Sequence, residues 1–221
     1  APTRSNGLDF DGINDYVSVN SASGLNITSN ISLSAWVFRN SSGKYDCIIG
    51  KDNYASNNGY SLWIYNDDKL TLRFGNSRIY KSIASIPSGV WVHLAGTFDG
   101  TNARLYINGT LDSSYPASSP SSNNGLLYLG TPQDAIGNVS YNFSGVLDDI
   151  RIWNITLSQS DIQTIKERII QLKSGSSSSQ KKGNTSELAR KQMGELSKKV
   201  EDTLNVNEEK TPLKRERFGK A

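Results

Sequence analysis

The chain has 221 residues, of which 36% are hydrophobic and 20% are charged, and it contains one cysteine and one histidine. The single Cys47 excludes an intrachain disulfide, and one cysteine with one histidine excludes a zinc site of the ordinary type. There is no apolar run of about 18 residues, so the sequence predicts no transmembrane helix.

The net charge of +3 is unevenly divided along the chain. Residues 1–172 carry 12 basic and 14 acidic side chains, whereas residues 173–221 carry 12 and 7. We therefore expect a solvated binding domain followed by a basic tail. Acidic residues interleave with the lysines of that tail, so no continuous basic stripe forms and no nucleic-acid partner is predicted. The start at Ala1, without a methionine or a signal peptide, is expected of a processed product or an excised fragment.

Period-two alternation of apolar residues recurs throughout residues 7–155 and predicts short β-strands. In the segment 31–37, ISLSAWV, every second residue is apolar and is expected on one face. The segment 60–65 places Tyr60, Leu62 and Ile64 on one face and Trp63 on the other. The Cys47-Ile48-Ile49 run predicts that the cysteine is a small buried hydrophobe and not a nucleophile.

Near the end of this region, residues 146–153 are predicted to place Ile150 and Ile152 on one strand face and Leu147 on the other. Turn sequences separate the strands, and Asn108-Gly109 is the strongest hairpin signal in the chain. About a dozen short strands without helices between them predict an all-β, two-sheet antiparallel sandwich. The longest polar loops, where binding groups tend to lie, span residues 52–58, 113–125 and 131–142.

After Trp153 the pattern becomes helical. Ser158 is a predicted N-cap with Asp161 near the capping-box position, and an apolar face then runs to about Leu172 through Ile162, Ile165, Ile169 and Leu172. Residues 173–185 form a Ser/Gly-rich linker by composition, and 186–221 a charged tail with one short amphipathic helix. This tail is predicted to be disordered, and the alternative is a small helix that docks on another protein or on a second copy.

Three sequence blocks resemble the LamG-like members of the concanavalin A-like jelly-roll superfamily, which includes laminin G domains, pentraxins and concanavalin A-like lectins. They are residues 8–17 (LDFDGINDYV), residues 91–109 (beginning WVHLAGTFDG and ending RLYING) and residues 145–154 (GVLDDIRIWN). The resemblance covers roughly residues 7–165 and implies a jelly-roll domain over 1–172 that ends with the short helix. It also implies that the scaffold binds glycans or proteins and only sometimes hydrolyses them.

The resemblance further implies that the first and last strands are neighbours, which would bring the Asp11–Asp15 turn close to Asp148 and Asp149. Carboxylate and amide oxygens are the ligands that Ca²⁺ prefers. We therefore predict a structural calcium held by Asp11, Asn14, Asp15 and Asp148. The alternative is that Asp11 and Asp15 make turn hydrogen bonds while Asp149 pairs with Arg151 or lies in solvent.

Glycan recognition needs aromatic faces for sugar rings and planar amides or carboxylates for hydroxyls. The aromatic candidate on the strand face opposite the core is Trp63, with Tyr65 beside it, whereas Trp36, Trp91 and Trp153 are predicted to pack within the fold. The full set of predicted ligand-binding residues is Asp52, Asn53, Asn58, Trp63, Arg73 and Tyr141. We also expect a crevice between the 52–58 and 131–142 loops.

An enzymatic function is not predicted. Glycosidases commonly use two carboxylates that flank the scissile bond, but Glu167, on the terminal helix, is the one glutamate within residues 1–172. His93 lies within a predicted strand and is expected to be a packed residue and not a base.

Eight sequons of the form Asn-x-Ser/Thr indicate an extracellular, secreted or cell-surface protein. The predicted glycosylation sites are Asn26, Asn30, Asn40, Asn108, Asn138 and Asn142, while Asn154 follows a strand end and is expected to be unmodified. The sequence thus predicts a non-catalytic binding module for carbohydrate or a glycosylated partner. Two alternatives stay open: a structural, adhesion or coat module without a sugar pocket, and an accessory domain of a hydrolase.

Overall fold

A computed structural model of the chain describes residues 7–133, 136 and 138–173, with side chains as far as Glu167. Within these residues lie two antiparallel sheets of six strands each, in the orders β1-β12-β3-β8-β9-β10 and β2-β11-β4-β5-β6-β7. The strands are β1 (Leu8–Asp11), β2 (Val17–Val19), β3 (Ile31–Arg39), β4 (Asp46–Asn53), β5 (Asn58–Ile64), β6 (Lys69–Phe74), β7 (Arg78–Ser85), β8 (Trp91–Phe98), β9 (Asn102–Ile107), β10 (Thr110–Pro116), β11 (Leu127–Leu129) and β12 (Ser144–Trp153). The predicted two-sheet sandwich is confirmed. The predicted linker and tail beyond Lys173 lie outside the described residues.

The core lies between the two sheets and is built from the alternate residues that the sequence pattern identifies. The alternate apolar residues of 31–37 (Ile31, Leu33, Ala35 and Val37) and the set Tyr60, Leu62 and Ile64 belong to it and are at most 1% exposed. Because successive side chains of a strand point to opposite faces, Ser61 and Trp63 are directed to the outer face of the second sheet. This outer face carries the candidate site.

The alternation predicted for β12 is wrong at one point. The register between β12 and β3 shifts between Asp148 and Arg151, and Asp149 has a φ of 49°. Such a bulge inserts an extra residue, so Leu147 and the pair Ile150 and Ile152 all pack against the same core instead of facing opposite sides.

The tightest predicted turn is present. Asn108 and Gly109 join β9 to β10 with φ values of 52° and 81°. Two consecutive positive φ angles define the type I′ turn, which matches the twist of the flanking strands. The prediction of a hairpin at Asn108-Gly109 is confirmed.

The terminal helix α1 (Gln159–Lys173) packs on the outer face of the first sheet. Ser158 caps it as predicted, because the Asp161 amide donates to Ser158 Oγ at 3.2 Å and the Ser158 amide donates to Asp161 Oδ2 at 2.9 Å. Ile162 and Ile165 are buried against Ala95, Tyr106 and Leu157, whereas the side chains of Ile169 and Leu172 lie outside the description. None of the helices in the described part of the chain has the length and apolar character needed to span a bilayer.

Candidate functional site

A pocket of about 420 Å³ opens on the outer face of the second sheet. Its walls come from the loop after β4, from strands β5 and β6, and from the loop between β11 and β12. This is the crevice between the 52–58 and 131–142 loops that the sequence predicts. The lining residues are Tyr45, Tyr54, Trp63, Tyr65, Arg73, Pro132, Asn138 and Tyr141.

One wall of the pocket is a cluster of four aromatic rings. Tyr45 packs on Tyr65 and on Tyr141, with ring centroids 5.0 and 5.7 Å apart. Trp63 meets Tyr65 and Tyr141 edge to face at 6.1 and 6.3 Å. Each ring is held by at least two others, so the wall is preorganised. Tyr54, which is 59% exposed, stands outside this cluster on the opposing loop.

The floor of the pocket is a buried, charge-balanced network. Arg73 forms an ion pair with Asp52, and its Nε donates to Asp52 Oδ2 at 2.5 Å. The same carboxylate oxygen accepts from Ser61 Oγ at 2.8 Å, and Ser61 Oγ in turn accepts from the Trp63 indole N–H at 2.7 Å. Asp52 is fully buried and Arg73 is 8% exposed. The network therefore fixes the Trp63 ring through neighbouring strands of one sheet.

The guanidinium group of Arg73 also contacts two aromatic rings of the pocket. It lies 5.1 Å from the Trp63 ring centroid and 6.0 Å from that of Tyr54, within the range of cation–π attraction. Burial opposes the charge, but the Asp52 carboxylate and the Tyr65 hydroxyl more than offset it and raise the pKa of Arg73 above its ordinary value. Burial raises the pKa of Tyr65 as well. Arg73 is therefore charged and Tyr65 neutral at physiological pH.

The structure brings together some of the predicted ligand residues and separates others. Trp63, Arg73 and Tyr141 line the pocket, and Asp52 lies directly behind Arg73. Asn53 and Asn58 face each other at the end of the β4–β5 hairpin and are not among the described lining residues.

Trp63 is only 2% exposed, so its prediction as an exposed stacking platform is wrong; it forms the floor because Arg73 and its aromatic neighbours cover it. Sequence reasoning missed Tyr45, Tyr54, Pro132 and Asn138 as lining residues. Tyr54 and Asn138 lie in loops that the pattern singles out, but nothing in the sequence shows that either side chain reaches the crevice. Tyr45 just precedes β4, where the pairing of Asp46 with Ile64 carries it beside Tyr65.

Cys47 and His93 are both packed inside the domain. Cys47 is completely buried and makes no disulfide, as predicted. His93 is buried in mid-sheet opposite Trp36, and their rings pack at 5.4 Å. The prediction that His93 is a packed strand residue is confirmed.

The predicted calcium ligands do not come together. β1 and β12 are neighbours as expected, but Asp11 pairs with Ser144 while Leu8 pairs with Leu147. Asp148 thus lies about four residues, or roughly 13 Å, along the sheet from Asp11. No group of three or more His, Cys, Asp or Glu residues with metal-binding geometry occurs in the described part of the chain.

The alternative interpretation of these acidic residues fits the geometry. Asp11 Oδ1 accepts from the amides of Ile13 and Asn14 at 2.7 and 3.3 Å, and Asp15 Oδ2 accepts from the Asp11 amide at 3.1 Å. Asp149 Oδ1 accepts from Arg151 Nε at 2.7 Å. The shared four-residue site is therefore wrong, whereas the binding of a structural calcium by the domain stays a prediction.

The sequons differ in accessibility. Asn142 is 3% exposed, and its amide donates to Ile13 O at 2.7 Å while its carbonyl accepts from Thr131 Oγ1 at 2.8 Å. A glycan cannot be accommodated there in the folded domain, so this predicted site is wrong. Asn26 is half-buried and donates to Asn124 Oδ1 at 2.6 Å. The exposed sequon residues among the predicted sites are Asn30, Asn40, Asn108 and Asn138.

Comparisons with known proteins identify relatives of the fold. Residues 11–163 match the family model of the concanavalin A-like lectin/glucanases superfamily. A comparison with curated proteins finds no match. Three of the solved structures that are similar to this chain are described below; all are below 25% identity, so they support the fold alone.

The first is a putative carbohydrate-binding protein from Bacteroides ovatus, with 18% identity, a TM-score of 0.58, and coverage of 71% of this chain and 45% of that one. The second is domain 4 of AbnA, an extracellular GH43 arabinanase from Geobacillus stearothermophilus, in complex with arabinotriose; it has 22% identity, a TM-score of 0.57, and coverage of 75% and 79%. The third is a heptameric SAP-like pentraxin from Limulus polyphemus, with 19% identity, a TM-score of 0.53, and coverage of 72% and 80%. The chain spans less than half the length of the first of these proteins.

Proposed function

The chain belongs to the concanavalin A-like lectin/glucanases superfamily, and we propose that it is a non-catalytic, extracellular carbohydrate-binding module. The observation that carries the proposal is the aromatic pocket on the outer face of the second sheet. Its volume of about 420 Å³ lies within the usual range for small-molecule sites.

The chemistry of the pocket suits a saccharide. Sugar rings present apolar C–H faces together with hydroxyl groups, and they need aromatic surfaces and polar groups side by side. Tyr45, Tyr54 and Tyr141 supply ring surfaces and hydroxyl groups at the pocket walls. The aromatic cluster is held in place by its own ring contacts, so little conformational entropy would be lost on binding.

The solved structures named above support the same class of ligand. One is described as a putative carbohydrate-binding protein, and another is bound to arabinotriose. The second also belongs to an extracellular enzyme, which agrees with the extracellular setting that the exposed sequons predict.

Binding without hydrolysis is proposed because the described lining residues include no Asp or Glu. A glycosidase of the common type needs two carboxylates on either side of the bond. The carboxylate behind the floor, Asp52, is held by Arg73 and Ser61 and is fully buried. The same pocket argues against the alternative of a purely structural or adhesion module without a sugar site.

The proposal is tested by screening the protein against a glycan array and measuring the affinity of the best hits by calorimetry. Tyr54→Ala and Tyr141→Ala should each weaken binding at least about tenfold, equivalent to about 1.4 kcal/mol. Ile83→Ala is the matched control, because Ile83 is a 72% exposed apolar residue on the same sheet and is not among the lining residues.

Binding that is saturable, lost in both tyrosine variants and unchanged in the control supports a lectin-type module. Absence of binding across neutral, acidic and amino sugars would contradict the proposal and favour the structural module. Release of reducing ends from a bound oligosaccharide would contradict the non-catalytic part.

A further inference from the structure

We propose that the pocket selects uncharged saccharides, and that the buried Arg73–Asp52 pair in its floor is the residue pair that sets this selectivity. The inference rests on the proposed function, because it concerns the ligand class of the same pocket. It follows from the charges around the pocket and from what each kind of ligand would have to displace.

Among the described residues, the two cationic groups at the pocket already have a carboxylate partner. Arg73 is paired with Asp52 within the floor. Lys81 lies 4.7 Å from the Tyr65 ring, just outside the lining residues, and its Nζ is 2.6 Å from Asp67 Oδ2. The described pocket therefore offers neither an unbalanced positive charge nor a carboxylate at its lining.

A cationic ligand would be excluded by the floor. The ring faces that attract cations in an aromatic cage are here directed at a cation of the protein itself, because Arg73 lies over both Trp63 and Tyr54. An amino sugar or a quaternary ammonium group would find these ring faces already occupied by the guanidinium group, and no carboxylate among the described lining residues to pair with it.

An anionic ligand would have to compete with Asp52 for Arg73. Asp52 is fully buried, and it accepts from both Arg73 and Ser61. Moving the guanidinium group toward a ligand would leave this carboxylate buried beside a weakened partner, which is strongly unfavourable. It would also disturb Trp63, which is linked to the same carboxylate through Ser61. An uncharged ring can bind without breaking any of these contacts.

The first experiment uses the wild-type protein. Neutral gluco-, galacto-, manno-, xylo- and arabino-oligosaccharides are compared with counterparts whose terminal sugar carries a carboxylate or an amino group. For every oligosaccharide that binds, we expect the neutral form to bind at least about tenfold more tightly than its carboxylated or its amino counterpart. We also expect its dissociation constant to stay within about twofold between roughly 0.05 and 0.5 M NaCl, since no ion pair with the ligand is formed.

The second experiment changes the pair itself. Asp52→Asn keeps the shape of the side chain and frees the charge of Arg73, so it should raise the affinity for carboxylated saccharides at least about tenfold. The double variant Asp52→Asn/Arg73→Gln removes both charges and is the matched control, which should keep the neutral preference and gain nothing for acidic ligands. Thermal melting checks that both variants fold. If either variant does not fold, the wild-type comparison of neutral and charged saccharides still tests the selectivity.

The outcomes separate this inference from the proposed function. Pocket-dependent binding that favours acidic or amino sugars, or that weakens tenfold with salt, leaves the lectin proposal standing and overturns the selectivity. A folded Asp52→Asn protein with no gain for acidic saccharides overturns the role of the Arg73–Asp52 pair. Failure to bind any saccharide overturns the proposed function and this inference with it.

Discussion

Asp112 protects the free edge of the second sheet, and its removal is predicted to destabilise the domain and to expose that edge. Strand β7 is the outermost strand of its sheet, so one row of its backbone groups lacks a neighbouring strand. The Asp112 carboxylate, on β10 of the other sheet, accepts from the amides of Ile83 and Ala84 at 2.5 and 3.0 Å. One side chain thus replaces part of the missing strand.

The magnitude follows from the number and kind of these bonds. A hydrogen bond to a charged group contributes about 1.5–3 kcal/mol when it is shielded. Water can replace the acceptor at this exposed edge, so Asp112→Ala should lower the free energy of unfolding by about 2 kcal/mol in total. For a domain of this size that corresponds to a decrease in Tm of about 4–8 °C. Asp112→Asn keeps one acceptor oxygen, and about half of the effect is expected.

The assay is urea unfolding at neutral pH, with sedimentation velocity to detect pairing between exposed edges. Leu111→Ala is the matched control, because Leu111 is the adjacent residue, is 42% exposed, and should change stability by less than about 0.5 kcal/mol. We expect Asp112→Ala to be the least stable of the three variants and to self-associate at high concentration. If it is as stable and as monomeric as Leu111→Ala, the proposed role of Asp112 at the edge is wrong.

Three further predictions concern other parts of the domain. Lys51 is 1% exposed, donates to Gly125 O at 2.6 Å, and has a pKa that burial lowers. The unfolded chain therefore binds more protons at this lysine, and the free energy of unfolding should rise as pH increases from the pKa of Lys51 in the folded protein toward the unfolded value near 10.5. Lys51→Met should remove this pH dependence and increase the free energy of unfolding by about 1 kcal/mol at neutral pH, as measured by denaturant titration. A variant that is less stable than the wild type would contradict this prediction. Ser158→Ala removes the cap of α1 and should cost about 1 kcal/mol, whereas Ser158→Thr should be nearly neutral in the same assay. If the domain binds a structural calcium, excess chelator should lower the Tm by the equivalent of about 2.7 kcal/mol when the metal was present at about 100 times its dissociation constant. An unchanged Tm, together with no metal by elemental analysis, would contradict that prediction.

Local patterns were enough to predict the architecture. Alternation along residues 31–37 and 60–65 depends only on the two-residue period of a strand, which every strand obeys regardless of its partners. The Asn108-Gly109 turn and the Ser158 cap are likewise decided by the conformational preferences and hydrogen-bonding groups of neighbouring residues. The crevice between two polar loops was also predictable, because loops presented by a rigid sheet collect at its ends and faces.

Strand register, and which side chains contact or cover one another, were decided only by the tertiary structure. One bulge at Asp149 reverses the faces of the last strand, and the pairing of Asp11 with Ser144 keeps Asp148 away from the predicted calcium ligands. Trp63 has the same sequence signature whether it is an open platform or a covered floor; the Arg73 guanidinium group that lies over it comes from another strand. These outcomes depend on which distant segments of the chain meet. The energy of each such contact is set by two residues that are far apart in the sequence, and the pattern of either segment alone does not determine it.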